Sequence, residues 1–435
     1  MVVNVISKEI VSPSSPTPPY LRKLKLCLLD QLVPSFYIPL VLFYQSNIHK
    51  NQNISKIMSH LKNSLAKTLS RYYPLAGRMQ DCATVDCNDK GVPFIIAHMS
   101  CRLNELLKNP PTDLMSDFVP FKTDCFQDNT EGLAGIQVTT FDCGGIVIGV
   151  CMHHRTTDAN SMTNFIRSWA DEAYMPKGDK INPDFTTASE VFPPVDSLSK
   201  EMQKTLDNHT FKEVKHVQRR YVFDKNAIAS LQAKASTEAL PKPSKNEALT
   251  SFIWKHMMEA SRIITGSSFT STASFTINLR PRFKPPLSNN SFGNLWWFSF
   301  GSCYLSLDGQ TDLELSKLAE VVHLDSEFVD ELQQPGVILD LMQEMGSGNI
   351  ENLKNFSFSN WCNFGHYKID FGLGKPVWIA YAHKNDILNN RCTFFMDSPS
   401  GIEIWMIAEE AEVSLLEKMP SFLEFASVNP SVKPY

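Results

Sequence analysis

Several of the short signatures that announce chemistry are missing from this sequence. There is no G-x-x-x-x-G-K and no G-x-G-x-x-G, so neither glycine loop that cradles nucleotide phosphates is present. No G-x-S-x-G elbow presents a serine nucleophile. The ten cysteines include no C-x-x-C pair; only Cys82 and Cys87 lie close together, and nothing follows them at zinc-ligand spacing. Free thiols in a reducing compartment are the reading that fits. No stretch of about 18 apolar residues offers a membrane helix. Met1 to Pro19 lacks the basic region and apolar run of a signal peptide, and Val432-Lys433-Pro434-Tyr435 is neither a peroxisomal nor an ER-retention tail. A cytoplasmic protein is therefore expected. Positive charge is also short. The formal net charge of −5 argues against broad binding to nucleic acid or an anionic membrane, and leaves room for a local basic pocket only.

What is present is an ordinary soluble composition, 43% hydrophobic and 20% charged. At 435 residues the chain exceeds one compact core and implies two domains or one large composite. Ser12 to Pro19 (SPSSPTPP) reads as an extended lead-in segment. Apolar residues at 54, 57, 58, 61, 65, 69 and 72 form a helical stripe, which Pro74 and Gly77 end. Thr84 to His98 reads as a hairpin turning at Asn88-Asp89-Lys90-Gly91. A second hairpin runs from Leu133–Phe141 through Asp142-Cys143-Gly144-Gly145 to Ile146–Met152. The nearly unbroken apolar run of its second arm suits a strand buried on both faces. A helix follows Asp158, with Met162, Phe165, Ile166, Trp169 and Ala173 on one face. Phe192 to about His216 reads as a long crossover. Beyond it lie a strand at Arg220–Phe223 and helices at 225–236 and 244–264, the latter with Ser244 as N-cap and Glu247 three residues on. Strands are expected at 274–279, 296–307, 377–382, 393–396 and 402–407. A broken helical stretch spans Leu313 to Met345, and a last helix spans Glu409 to Phe425. The expected division is a first domain at 1–192, a crossover at 193–218 and a second domain at 219–435.

His153 and His154 sit where the buried strand stops, and Asp158 where the helix begins. A histidine at a strand end can hold its imidazole at the lip of a cleft, and its pKa suits it to remove a proton from an alcohol near neutral pH. Asp158 has two uses open to it: it orients the ring, as in a triad, or it pairs with a basic residue and pins the turn. A lone H-x-x-x-D is short, and a satisfied buried histidine is its blander reading. Two histidines and an aspartate also resemble part of a metal-ligand set. Successive side chains on an extended backbone point to opposite faces, however, so no metal is expected. A base without a nucleophile or a cofactor loop fits attack by an acceptor's own oxygen on an activated thioester.

The second landmark is Asp370-Phe371-Gly372-Leu373-Gly374. Together with HHRTTD at 153–158 it resembles the paired signature of the BAHD family of plant acyl-CoA-dependent acyltransferases, H-x-x-x-D near the middle and D-F-G-W-G near the C-terminus. SPSSPTP at 12–18, LLDQ at 28–31, YYPLAGR at 72–78, VDCND at 85–89, FDCGG at 141–145, INLR at 277–280 and FGN at 292–294 follow in order. The resemblance thus covers essentially the whole chain, and is greatest to the alkaloid-acetylating branch. It implies an α/β fold of two similar domains with mixed, largely antiparallel sheets flanked by helices, chloramphenicol acetyltransferase-like, joined by a long crossover with a solvent channel between them. It implies His154 as general base in that channel. Asp158, Arg280, Asp370 and Gly372 take structural roles: Asp158 holds the turn, Arg280 pairs with Asp158, Asp370 or both, and the second motif shapes the channel without touching substrate. Asn294, or a backbone N–H beside it, is the candidate oxyanion donor. Trp296 and Phe298, in an aromatic cluster with Trp297 and Phe300, are candidates for the acceptor pocket, with a buried strand as the blander reading. The sequence departs from the family pattern at Leu373, where Trp is usual, and at Ala159, where Gly often follows the motif aspartate.

The resulting expectation is an O-acyltransferase with no permanently bound cofactor. It moves an acyl group, acetyl foremost, from acyl-CoA to a hydroxyl of a plant specialised metabolite, an alkaloid foremost. It works as a monomer without nucleic-acid or membrane partners. His154 Nε2 takes the hydroxyl proton as the oxygen attacks the thioester, and the imidazolium then protonates the leaving thiolate. Malonyl-, benzoyl- and hydroxycinnamoyl-CoA are rival donors. A hydrolase using water and a catalytically weakened binding relative, suggested by Leu373, are rival functions. His153, on the opposite face, is the internal control.

Overall fold

The computed structural model describes residues 1–45, 54–121, 131–174, 180–196, 216–305, 314–323, 326–334, 336–341, 353–382 and 391–433. The strands of the first half are Val3–Val11 (β1), Lys23–Lys25 (β2), Tyr37–Tyr44 (β3), Arg78–Met79 (β4), Thr84–Asp86 (β5), Val92–Met99 (β6), Ala134–Phe141 (β7) and Ile146–His153 (β8). Those of the second are His216–Asp224 (β9), Phe269–Asn278 (β10), Trp296–Leu305 (β11), Leu353–Asn360 (β12), Trp378–Ala380 (β13), Arg391–Ser398 (β14), Gly401–Glu409 (β15) and Ser427–Val428 (β16). They form two large mixed sheets, ordered β1-β6-β7-β8-β3-β13 and β11-β10-β12-β14-β15-β9-β16, and a small sheet β2-β5-β4. Neighbours in the large sheets are antiparallel except β6/β7, β10/β12 and β12/β14.

The first sheet shows why its central strands read as apolar runs. Every residue of β3, β7 and β8 is buried, as a sheet covered on both faces requires. Helices Ile54–Arg71 and Ala159–Tyr174 pack on one another beside it. Met58, Leu61, Leu65 and Leu69 are buried, and Trp169 Nε1 donates to the Leu61 carbonyl at 3.1 Å. The hairpin expected at 133–152 is present as β7/β8. The one expected at 84–98 is not. Its arms go to different sheets, β5 between β2 and β4, and β6 between β1 and β7. The reason lies in packing. Val85 fills a small cluster with Leu26, Cys87 and Leu133, whereas Val92, Phe94 and Met99 join the main core.

In the second half, helix Lys245–Thr265 opens on a capping box between Ser244 and Glu247 and closes at Gly266 in the left-handed conformation. Trp254 Nε1 on this helix donates to Ser271 Oγ of β10 at 2.8 Å. The expected last helix is two, Glu410–Leu416 and Pro420–Leu423. Pro420 lacks the N–H that would continue the first and starts the second instead. Residues 197–215, most of the expected crossover, lie outside the described residues, as do parts of 313–345.

The halves are stitched together. β13 comes from the second half and pairs antiparallel with β3 in the first sheet. Trp378 Nε1 donates to Glu403 Oε2 at 3.1 Å, and Glu403 pairs with buried Arg220 at 2.7 Å across β15 and β9. One core cluster therefore contains Leu40 and Ile148 from the first half together with Trp378, Phe394 and Trp405 from the second. Among the described residues no helix is long and apolar enough to cross a membrane.

Candidate active site

His154 lies just past β8, in a short turn at His154–Thr156. Its N–H donates to the Phe36 carbonyl at 2.7 Å, and the Thr157 N–H donates to the His154 carbonyl at 3.2 Å. Asp158 then caps the helix that follows, accepting the Ser161 N–H at 2.8 Å. The buried strand and the capped helix thus fix the backbone on both sides of the imidazole.

Asp158 does not orient the ring. Its carboxylate is buried and accepts two bonds from Arg280, at 2.7 and 3.3 Å, and the Leu295 N–H at 3.2 Å. Arg280 is 0% exposed and donates further to the carbonyls of Ser291 and Gly293 and to Ser161 Oγ. A buried pair of this kind is tolerable because its donors and acceptors are matched. It bolts the His154 turn, from the first half, to the segment between β10 and β11, from the second. Asp370 is not among Arg280's partners in the described residues. It accepts the N–H groups of Gly372 and Gly374 at 2.8 and 2.9 Å and closes its own turn. Phe371 packs on Trp169, with ring centroids 4.6 Å apart. Leu373 is partly buried against the same core, so a side chain smaller than the usual Trp fills a packing position there.

The group that orients His154 is Asn294. Its Nδ2 donates to Asp30 Oδ1 at 2.8 Å and to the His154 carbonyl at 2.7 Å. Both partners only accept, which fixes the amide orientation. Asn294 Oδ1 then accepts Trp296 Nε1–H at 2.9 Å and faces His154 Nδ1 at 3.1 Å. His154 Nδ1 must therefore carry the proton, leaving Nε2 with its lone pair. Nε2 has no partner among the described residues. This corrects the expectation that Asn294 is the oxyanion donor. Both its Nδ2 hydrogens are taken, its backbone N–H goes to Asp30 at 2.7 Å, and the next N–H goes to Asp158. Glycine is needed at 293 because the backbone has φ +122° and a Cβ would meet both Asp30 oxygens at 3.3 Å.

Two adjoining cavities share Asn160, in the helix that follows this turn. One, of about 250 Å³, is lined by His154, Phe36, Trp296, Phe298, Trp361, Tyr381 and Phe394. The Trp296 ring lies 5.8 Å from the imidazole, centroid to centroid, and Phe36 lies edge-on at 4.9 Å. The other, of about 490 Å³, is the more polar of the two, with Asn164, Arg167, Ser244, Asn246, Thr250 and Arg282 on its walls. Asn160, Thr276, Asn278 and Asn360 line both. No Lys or Arg lines the smaller cavity among the described residues. The residues 370–374 line neither.

Burial holds the His154 imidazole below its ordinary pKa, against the opposing pull of Asp158 and of the Asn294 bond. It stays neutral, and so basic, through neutral pH. His153 is different. It is buried away from the cavity, with Nε2 3.0 Å from Ser35 Oγ, and burial with Arg155 and His154 nearby pushes it down to about 3. Among the described residues no three His, Cys, Asp or Glu side chains converge to hold a metal ion. Of the residues singled out in the sequence, His154, Asp158, Arg280, Asn294, Trp296 and Phe298 come together here; Asp370 and Gly372 do not. Asp30 was missed as a site residue. LLDQ and FGN stand out in the sequence as segments, but nothing local shows that Asp30 and Asn294 meet.

The arrangement offers an unprotonated nitrogen, a polar chamber and an apolar one, and the comparisons agree with that chemistry. A model of the Transferase family matches residues 1–423. Akuammiline synthase 2 of Alstonia scholaris is 36% identical over 446 residues, covering 99% of this chain and 98% of the relative. Limonoid 7-O-acetyltransferase of Citrus sinensis is 33% identical over 461 residues, covering 99% of each. The crystal structure of vinorine synthase matches with a TM-score of 0.82 at 28% identity, over 99% of this chain and 100% of that one. With the His154 imidazole on the wall of the smaller of two adjoining cavities and these relatives over its whole length, the chain belongs to the Transferase family, the BAHD acyltransferases, and is an acyl-CoA-dependent O-acyltransferase.

Proposed function

We propose that this enzyme transfers acetyl from acetyl-CoA to a hydroxyl of a plant alkaloid, with His154 as general base. Coenzyme A occupies the polar cavity, where Arg167 and Arg282 can face its phosphates. The acceptor occupies the aromatic cavity. His154 Nε2 takes the proton of the acceptor hydroxyl as the oxygen attacks the thioester carbon. The C–O bond forms, the tetrahedral intermediate collapses, and the C–S bond breaks. The imidazolium returns the proton to the departing thiolate, so the enzyme is unchanged at the end. Holding both substrates in one channel makes the attack effectively intramolecular. Asn294 and Asp30 act through the ring, fixing its tautomer and direction.

The observation that carries this reading is the free Nε2 of a histidine whose Nδ1 is already committed to Asn294. The absence of a described Lys or Arg on the smaller cavity favours acetyl over malonyl, because a malonyl carboxylate would be buried there unpaired. One named relative, the limonoid 7-O-acetyltransferase, favours acetyl as well. The same reading has a cytosolic monomer. The test is thiol release from acetyl- and malonyl-CoA with a panel of alkaloid and limonoid alcohols. Acceptor-dependent release from acetyl-CoA with an alkaloid alcohol is expected. Preference for malonyl-CoA, or for a limonoid alcohol, would overturn the donor or the acceptor assignment. Release without any acceptor would mark a hydrolase.

A further inference from the structure

We propose that Asn278 is a further catalytic residue, whose Nδ2 donates a hydrogen bond to the thioester carbonyl oxygen and to the oxyanion it becomes. The proposal rests on the reading that coenzyme A lies in the polar cavity and the acceptor in the aromatic one. The acyl carbon then lies where the cavities meet, beside His154.

Four polar side chains line both cavities. Asn160 Nδ2 donates to the Asn289 carbonyl at 2.9 Å, and the Thr276 hydroxyl donates to Ser359 Oγ at 3.3 Å. Asn278 is arranged otherwise. Its Oδ1 accepts the Arg280 backbone N–H at 3.2 Å and the Arg280 guanidinium at 3.4 Å. Both are donors only, so the amide orientation is fixed and Nδ2 is the outward atom. Nδ2 has no partner among the described residues. Asn360 shares the pattern, with Oδ1 accepting the Cys362 N–H at 2.9 Å. Position separates the two. Asn278 is paired across β10 and β11 with Trp296, whose ring lies 5.8 Å from that of His154. Asn360 is paired with Phe395 on β14. The guanidinium nitrogen that bonds Asn278 also bonds Asp158 at 2.7 Å, so the donor and the turn carrying the base share one anchor.

As the acceptor oxygen attacks, the carbonyl electrons move onto its oxygen, and a donor already fixed there stabilises the charge without reorganising. The Asn294 side chain and the N–H groups of residues 294 and 295 are engaged elsewhere. Asn278 leaves a hydrogen for that role.

Two substitutions separate donation from bracing. Asn278→Asp keeps an oxygen for Arg280 but replaces the donor by an acceptor; Asn278→Ala removes both. If Asn278 donates, kcat falls about 10²–10³-fold in both variants, while the Kd for acyl-CoA changes little. If it merely braces Arg280, Asn278→Asp stays near wild type and only Asn278→Ala suffers. The infrared carbonyl stretch of bound acyl-CoA adds a readout that bracing would not move. It should lie below that of free acyl-CoA in the wild type and return towards it in Asn278→Asp. His154→Ala should keep that shift and lose turnover, which distinguishes the base from the donor; if His154→Ala turns over normally, the base reading fails on its own. Wild-type kcat in Asn278→Asp overturns the proposal, as does lost kcat with an unchanged stretch. Should Asn278→Ala fail to fold, Asn278→Asp decides alone.

Discussion

Asp158 and Asp370 each hold a turn by accepting backbone N–H groups, Asp158 from Ser161 and Leu295, Asp370 from Gly372 and Gly374. Only Asp158 is also paired with a buried arginine from the other half of the chain. Only its turn carries a side chain on the cavities, whereas residues 370–374 line neither. Two motifs of similar length and similar local construction therefore differ in where the fold puts them. One stands at the meeting of the halves and holds His154. The other closes on itself at the flank of the core, where Phe371 packs on Trp169.

The difference can be broken first at the base. His154→Ala should lower kcat about 10²–10⁴-fold with the fold intact, as checked by thiol release alongside thermal melting; a variant with wild-type turnover would remove the distinction between the motifs. Arg280→Met strands the Asp158 carboxylate in the interior and should destabilise the protein by about 3–5 kcal/mol, read in urea unfolding. Asn294→Leu frees the imidazole to turn and should cost on the order of 10²-fold in kcat. It also moves the pH profile. The Asn294 bond favours the protonated ring, so losing it lowers the His154 pKa further and shifts the acid limb to lower pH. An acid limb that moves upward would contradict this. Least affected should be the second motif. Asp370→Ala should cost about 1 kcal/mol, since water can replace the lost acceptor at these exposed N–H groups, and kcat should be unchanged. Leu373→Trp should likewise leave kcat unchanged.

His154 and its turn were legible because strand, histidine and capped helix follow one another within one stretch of chain. The apolar run of β8 and the apolar face of Ala159–Tyr174 are local patterns, and local patterns survive into the structure. The choice between orienting the ring and pinning the turn was not legible. It depends on Arg280, 122 residues away. Asn294 was misassigned for the same reason. Its chemistry suits an oxyanion donor, but its hydrogens are claimed by Asp30, 264 residues away, and by the His154 carbonyl. The hairpin expected at 84–98 shows the limit for strands: both arms were recognisable, yet their partners are chosen by sheets assembled from distant segments.

General-base action by His154 requires that its Nε2 be the bare nitrogen. Nitrogen NMR of histidine-labelled protein, with His154 assigned by its loss in His154→Gln, reads that directly. The structure predicts a protonated Nδ1 and a pyridine-like Nε2 in the free enzyme at neutral pH. A protonated Nε2 would place the wrong nitrogen at the cavity and contradict the proposed base.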